Sequence, residues 1–255
     1  MGFAETDLTH DRFLNGKLRV WQPKAGYRAG VDPVLLAAAV PAQAGDSVLE
    51  LGCGVGVASL CLAARVAGLD LTGVEVQPEY AELARRNADE NRHKMAVYCA
   101  DLCALPDAVL QQSFDHVIAN PPYFLRGRGT AAADRGREAA LGEVTPLADW
   151  IDAATRRLKP KGYLTIIQDT ERLPELLGVL DDRLGSVRVL PLIPRAGRPA
   201  HLVIMQARKG GRAAFRLLAQ VMMHEGALHD GDRESYTAEI RAVLRSGAAL
   251  TDNLC

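Results

Sequence analysis

The apolar run Val117-Ile118-Ala119 leads directly into Asn120-Pro121-Pro122-Tyr123, and about seventy residues earlier stands Glu50-Leu51-Gly52-Cys53-Gly54-Val55-Gly56. An exocyclic amine on a planar ring is a poor nucleophile because its lone pair is delocalised. Two acceptors aimed at its hydrogens help it pyramidalise. The side-chain oxygen of Asn120 supplies one and the carbonyl of Pro121 the other, since Pro121 and Pro122 carry no N–H and hold the backbone extended. Acceptors fixed in advance need no reorganisation at the transition state. Tyr123 adds a flat π face on which a flipped or single-stranded base can stack, worth roughly 1–3 kcal/mol per base. Asn and Pro are also ordinary turn formers, so the tetrapeptide alone serves equally well to end a strand. Its position in the chain favours chemistry.

The earlier segment has the features of an anion- or cofactor-binding turn. A helix that starts after a buried strand presents free backbone N–H groups, and glycines let a ligand approach them closely. The dinucleotide fingerprint requires G-x-G-x-x-G, whereas here the third glycine, Gly56, follows Gly54 one residue early. Glu50 precedes the loop, Glu75 ends the next expected strand about 20 residues on, and Asp101 ends the third. All three acids then lie at carboxyl ends of neighbouring strands, where open α/β sheets bind ligands and an acid can accept hydrogen bonds from ribose.

The elements that must position these groups read as an α/β alternation. Strands are expected near 47–51, 70–75, 96–100, 114–119 and 163–168, with helices over 57–67, 78–91, 145–158 and 172–181. Pro160-Lys161-Gly162 marks a break before a strand. The runs 187–193 and 201–207 flank Pro194 to Pro199 and predict an antiparallel hairpin at one sheet edge. Ahead of the first βαβ unit, Leu14-Asn15-Gly16-Lys17 predicts a hairpin, and Asp32-Pro33 a helix start with Asp32 as N-cap. This N-terminal piece is expected over the carboxyl edge of the sheet. Tyr236, Ile240, Val243 and Leu244 share a helical face after Ser235.

Composition sets bounds on function. Thirty basic and thirty-one acidic residues leave a net charge of −1, so the overall field argues neither for nor against nucleic acid. Five cysteines without a C-x-x-C pair, and no signal-like leader, suggest a cytoplasmic protein with reduced thiols and no metal. No apolar run approaches the roughly 20 residues of a membrane span.

On the glycine loop and its acids, the chain resembles the class I S-adenosylmethionine-dependent methyltransferases. The resemblance implies a Rossmann-like fold: a mostly parallel seven-stranded sheet with an antiparallel edge hairpin and helices on both faces. It implies S-adenosyl-L-methionine as cofactor, with Glu50 toward the methionine amino group, Glu75 at the ribose, Asp101 and Leu102 beside the adenine, and Gly52, Gly54, Gly56, Val76 and Asn120 lining the site. N-P-P-Y in this slot resembles the amino-methyltransferases acting on adenine, guanine or glutamine amides. Gln22 to Asp32, taken with Asn120 to Phe124, resembles the bacterial valine-tRNA adenine-N6 methyltransferases and their small-domain relatives. That implies residues 1–45 as a hairpin and helix covering the cofactor, with Tyr27, Arg28 and Gly30 near it, and residues 46–255 as the methyltransferase domain. The leading expectation is N-methylation of adenine N6 in tRNA; a protein glutamine amide as acceptor, or S-adenosylmethionine binding without catalysis, stays open.

Substrate selection falls to basic segments. Residues 124–144 are rich in Gly and Arg and read as a binding flap containing Arg126 and Arg128. From Arg183 to His224 there is no Asp or Glu but eight Lys or Arg, among them Arg195 and Arg198 in the hairpin loop, candidates for phosphate contacts.

Overall fold

The computed structural model describes residues 2–123, 145–226 and 235–250. Its main sheet contains β3 (Ser47–Leu51), β4 (Asp70–Glu75), β5 (Met95–Cys99), β6 (Phe114–Ala119), β7 (Leu158–Asp169), β8 (Leu184–Ile193) and β9 (Leu202–Lys209). The spatial order is β8-β9-β7-β6-β3-β4-β5, parallel except for β9, which runs antiparallel to both neighbours. Two short strands, β10 (Arg216–Leu217) and β11 (Val221–Met222), pair in parallel with β8 and bring this sheet to nine strands.

Helices sort onto the two faces because strand side chains alternate. Val48, Ile118, Ile167 and Ile204 point into a core shared with α1 (Asp32–Ala39), α2 (Val57–Arg65), α3 (Pro78–Glu90) and α7 (Ala238–Ser246). Their sequence neighbours Leu49, Val117, Ile166 and Met205 point into the opposite core with α4 (Asp107–Leu110), α5 (Leu147–Arg157) and α6 (Leu173–Gly178). Each of these eight strand residues is fully buried, and removing such a side chain from water is worth about 1.5–3 kcal/mol. The sheet is thereby rigid from both sides, and its carboxyl ends carry the loops of interest.

Local chemistry departs from the sequence expectation in two places. β7 begins at Leu158, directly after α5, and Pro160 to Gly162 form an irregularity inside it, where the register against β6 slips between Phe114 and His116. Asp32 is the first residue of α1 and not its cap; Val31 holds the cap position, and the Asp32 carboxylate is engaged elsewhere. Thr237 caps α7, accepting from the Ile240 N–H.

The hairpin of β1 (Leu8–Phe13) and β2 (Leu18–Pro23) lies along α3. The buried amide of Asn87 is the hook: its oxygen accepts from the Trp21 N–H at 2.7 Å, and its nitrogen donates to the Trp21 carbonyl at 3.1 Å and the Val55 carbonyl at 3.0 Å. Asn91 repeats the pattern with Arg19. The segment that follows the hairpin, 24–31, crosses to the glycine loop.

Candidate active site

β3 ends in a loop that turns through left-handed backbone at Gly52, Gly54 and Gly56. Gly52 has no alternative: at φ +64° a side chain is strained, and a Cβ there would sit 2.5 Å from the ring of Trp150 in α5. The loop's polar groups are organised by the two glutamates. Glu75 accepts from the Gly54 N–H at 2.8 Å and the Gln77 N–H at 2.9 Å, which ties the end of β4 to the turn. Glu50 accepts from the N–H and hydroxyl of Ser59 in the first turn of α2, at 3.0 and 2.5 Å.

Both carboxylates are buried, 4% and 6% exposed, and neither forms an ion pair among the described residues. Burial pushes Glu50 up to about 7 against the pull of the Ser59 hydrogen bonds, with the charge of Glu75 adding to the rise. Burial raises Glu75 as well. A pair of desolvated acids without a cationic partner is a site that gains from a cation. The ammonium and sulfonium of S-adenosylmethionine fit that donor set.

Asn120 follows β6, adjacent to β3 in the sheet. Its side-chain oxygen is buried with no hydrogen-bond partner among the described residues. Asn120 lines one cavity with Tyr27, Pro33, Glu50, Gly52 and Cys53. An orphaned acceptor at a cavity wall is costly, on the order of 1–3 kcal/mol, and a donor brought from outside would satisfy it. Tyr27 leaves 40% of its surface exposed, with its ring against Gly54 and its carbonyl accepting from the Tyr80 hydroxyl. Its own hydroxyl is desolvated beside Asp32 and Glu50, which raises its pKa, and the Asn120 amide opposes that rise.

The remaining members of the tetrapeptide are anchored from behind. The Pro121 carbonyl, expected to be free, accepts from the Gln168 amide at 3.3 Å, leaving one lone pair for a ligand. Arg172 donates to the Pro122 carbonyl at 2.8 Å. Tyr123 is half-buried and donates from its hydroxyl to Asp32 at 2.8 Å.

Other expected site residues fall in mixed positions. Arg28 is committed to the hairpin, donating to Thr9, to the Pro23 carbonyl at 2.7 Å and to Asp11 in an ion pair. Gly30 has open space around it. Val76, 55% exposed at the end of β4, offers apolar surface; Leu102 is buried, and Asp101 caps the turn that contains it by accepting from the Cys103 N–H. Arg195, partly buried, donates to the Glu225 carbonyl and to the Ser235 hydroxyl, binding the chain ahead of α7. Arg198 is exposed and makes no side-chain bond among the described residues. Arg126 and Arg128 lie outside the described residues.

Sequence reasoning passed over Trp150, Gln168, Arg172 and Asn87. Trp150 and Asn87 sit within helical periodicity and look like ordinary face residues. Gln168 and Arg172 follow an apolar run, where a polar residue gives no sign of which backbone it will meet.

The described residues contain no group of three or more His, Cys, Asp or Glu placed to hold a metal ion, and no helix long and apolar enough to cross a membrane. Residues 31–191 match the family model of the methyltransferase small domain. A tRNA1(Val) (adenine(37)-N6)-methyltransferase of Porphyromonas gingivalis is 33% identical over 196 residues, 71% of this chain and 76% of that one. The enzyme of the same name from Dickeya chrysanthemi is 27% identical over 227 residues, 87% and 88% of the two chains. A crystal structure from Agrobacterium tumefaciens, described as a predicted O-methyltransferase, superposes with a TM-score of 0.69 at 28% identity, covering 86% of this chain and 97% of that one. The matched span runs from the residue before Asp32 through every strand that carries the site, and the chain belongs to the methyltransferase small-domain family.

Proposed function

We propose that this methyltransferase uses S-adenosyl-L-methionine to methylate an exocyclic nucleobase amine, adenine N6 in tRNA. The observation that carries the reading is the buried, unpartnered oxygen of Asn120 on the wall it shares with Glu50 and Gly52. The names of the relatives from Porphyromonas gingivalis and Dickeya chrysanthemi support tRNA as the acceptor.

When bound, the cofactor supplies an electrophilic methyl group on a sulfonium, so the protein's task is alignment. Glu50 and Glu75 attract the cationic end and the ribose, and Asp101 and Leu102 border the adenine, with Val76 lining the same site. Residues 1–45 cover that site through Tyr27, and residues 46–255 form the methyltransferase domain. Asn120 accepts one hydrogen of the target amine and the second lone pair of Pro121 the other, drawing the nitrogen toward pyramidal geometry. Tyr123, held by Asp32, stacks on the base, and Arg198 meets a phosphate at the rim. The free thiols of Cys53, Cys61, Cys99 and Cys103 accord with a cytoplasmic setting.

The test is transfer of labelled methyl groups to total tRNA, rRNA and protein from cells lacking the gene. The expected product is tRNA that releases N6-methyladenosine on digestion. Label confined to protein would replace this reading with glutamine-amide methylation, and cofactor binding without transfer would make the chain a binding module.

A further inference from the structure

Pro121 and Pro122 carry no N–H, so the chain leaving β6 can be held in place only through its carbonyls and side chains. Both carbonyls are held. Gln168, fully buried at the end of β7, uses its oxygen to accept from the Asp169 N–H at 2.8 Å, which turns its nitrogen toward Pro121. Arg172 lies in the turn that follows, only 5% exposed. One edge of its guanidinium grips Glu175, with Nε at 3.1 Å and Nη2 at 2.9 and 3.1 Å from the carboxylate oxygens, and Nη1 is left to donate to Pro122 at 2.8 Å. A buried guanidinium is expensive to desolvate, and a planar fork with one end fixed defines where its other end points.

From this geometry we infer that Arg172, oriented by Glu175, is a positioning residue of the methyl-transfer reaction: it sets the path of the tetrapeptide, and through it the aim of the Asn120 oxygen. Gln168 and the Asp32 bond to Tyr123 are the other fixed points of the same clamp. None of the three touches the acceptor. The inference rests on the reading of Asn120 as the acceptor-contacting group, and lysine cannot substitute for Arg172, because a point charge cannot serve Glu175 and Pro122 together in fixed directions.

The experiment compares wild type, Arg172→Lys and Glu175→Gln, well below their melting temperatures, for turnover on tRNA, for affinity toward S-adenosylhomocysteine, and for hydrogen exchange in the peptide spanning Val117 to Tyr123. Misplacing a reacting group by about 1 Å costs up to roughly a hundredfold. Arg172→Lys is expected to lower kcat about 10- to 100-fold while S-adenosylhomocysteine affinity stays within about twofold, and to speed exchange in 117–123 but not in 47–59. Glu175→Gln, on a half-exposed partner that leaves the fold intact, should cause a smaller loss of the same kind. A kcat within about twofold of wild type for Arg172→Lys, an equal loss of cofactor affinity, or unchanged exchange in 117–123 overturns the clamp. If wild type transfers no methyl to tRNA, the acceptor reading fails, and the exchange comparison still decides the clamp.

Discussion

Glu50 carries a protonation equilibrium that should be measurable as stability. Its carboxyl moves from 4.5 to about 7 on folding, with burial as the leading cause. Between those values the folded chain keeps a proton that the unfolded chain has released, so the unfolding free energy falls as pH rises through this window and has lost its full share above it. A rise of this size corresponds to about 3 kcal/mol. His93 and His116, held low by burial, contribute the opposite slope near 6.5, so the informative quantity is a difference between two proteins. Glu50→Gln keeps an oxygen for the Ser59 N–H and hydroxyl but cannot ionise. Urea unfolding from pH 4.5 to 8 should show Glu50→Gln gaining on wild type by up to about 3 kcal/mol across the interval. Calorimetry of S-adenosylhomocysteine binding at pH 6, in two buffers of different ionisation enthalpy, should show proton release by wild type and none by Glu50→Gln. Parallel stability curves, differing by less than about 0.5 kcal/mol in their change with pH, would refute the claim that burial raises the Glu50 carboxyl to about 7.

Asn120→Ala should reduce turnover by roughly 10²-fold or more while leaving cofactor affinity nearly intact, whereas Glu75→Ala, which also frees the Gly54 and Gln77 N–H groups, should weaken cofactor binding first; equilibrium dialysis beside steady-state kinetics separates the two. Asn87→Ala removes three hydrogen bonds that join the hairpin and glycine loop to α3, and should cost roughly 2–5 kcal/mol in urea unfolding, with Asn87→Asp no milder because a carboxylate would face two carbonyls. Gly52→Ala should cost roughly 2–4 kcal/mol from the left-handed backbone and the clash with Trp150 together, and Trp150→Ala in the same chain should relieve the steric part alone, visible as a non-additive double-mutant cycle.

Much of this architecture is legible in the chain because its signals are local. The alternation of apolar runs with helical spacing placed β3, β4 and β6 at their observed limits, since each is a short run bounded by turn formers, Gly45 and Gly52, Gly68 and Pro78, Ser113 and Asn120. The order Glu50, Glu75, Asp101, Asn120 along the chain likewise placed these residues at neighbouring strand ends once parallel βαβ connections were assumed. Arg195 shows the converse: the charge run around it says nothing of the carbonyl and hydroxyl, thirty to forty residues further on, to which this guanidinium donates.

The chain by itself determined the sheet, the glycine turn and the chemistry of the tetrapeptide, all of which depend on residue type and spacing within a few neighbours. Tertiary structure alone decided that Asp32 would hold Tyr123 instead of capping a helix, that Gln168 and Arg172 would occupy the proline carbonyls, and that Trp150 would press on Gly52. Those partners are 47 to 98 residues apart in sequence. A hydrogen bond or van der Waals contact acts over a few ångströms and leaves no periodic trace in the chain, so its partners become visible only when the fold has brought them together.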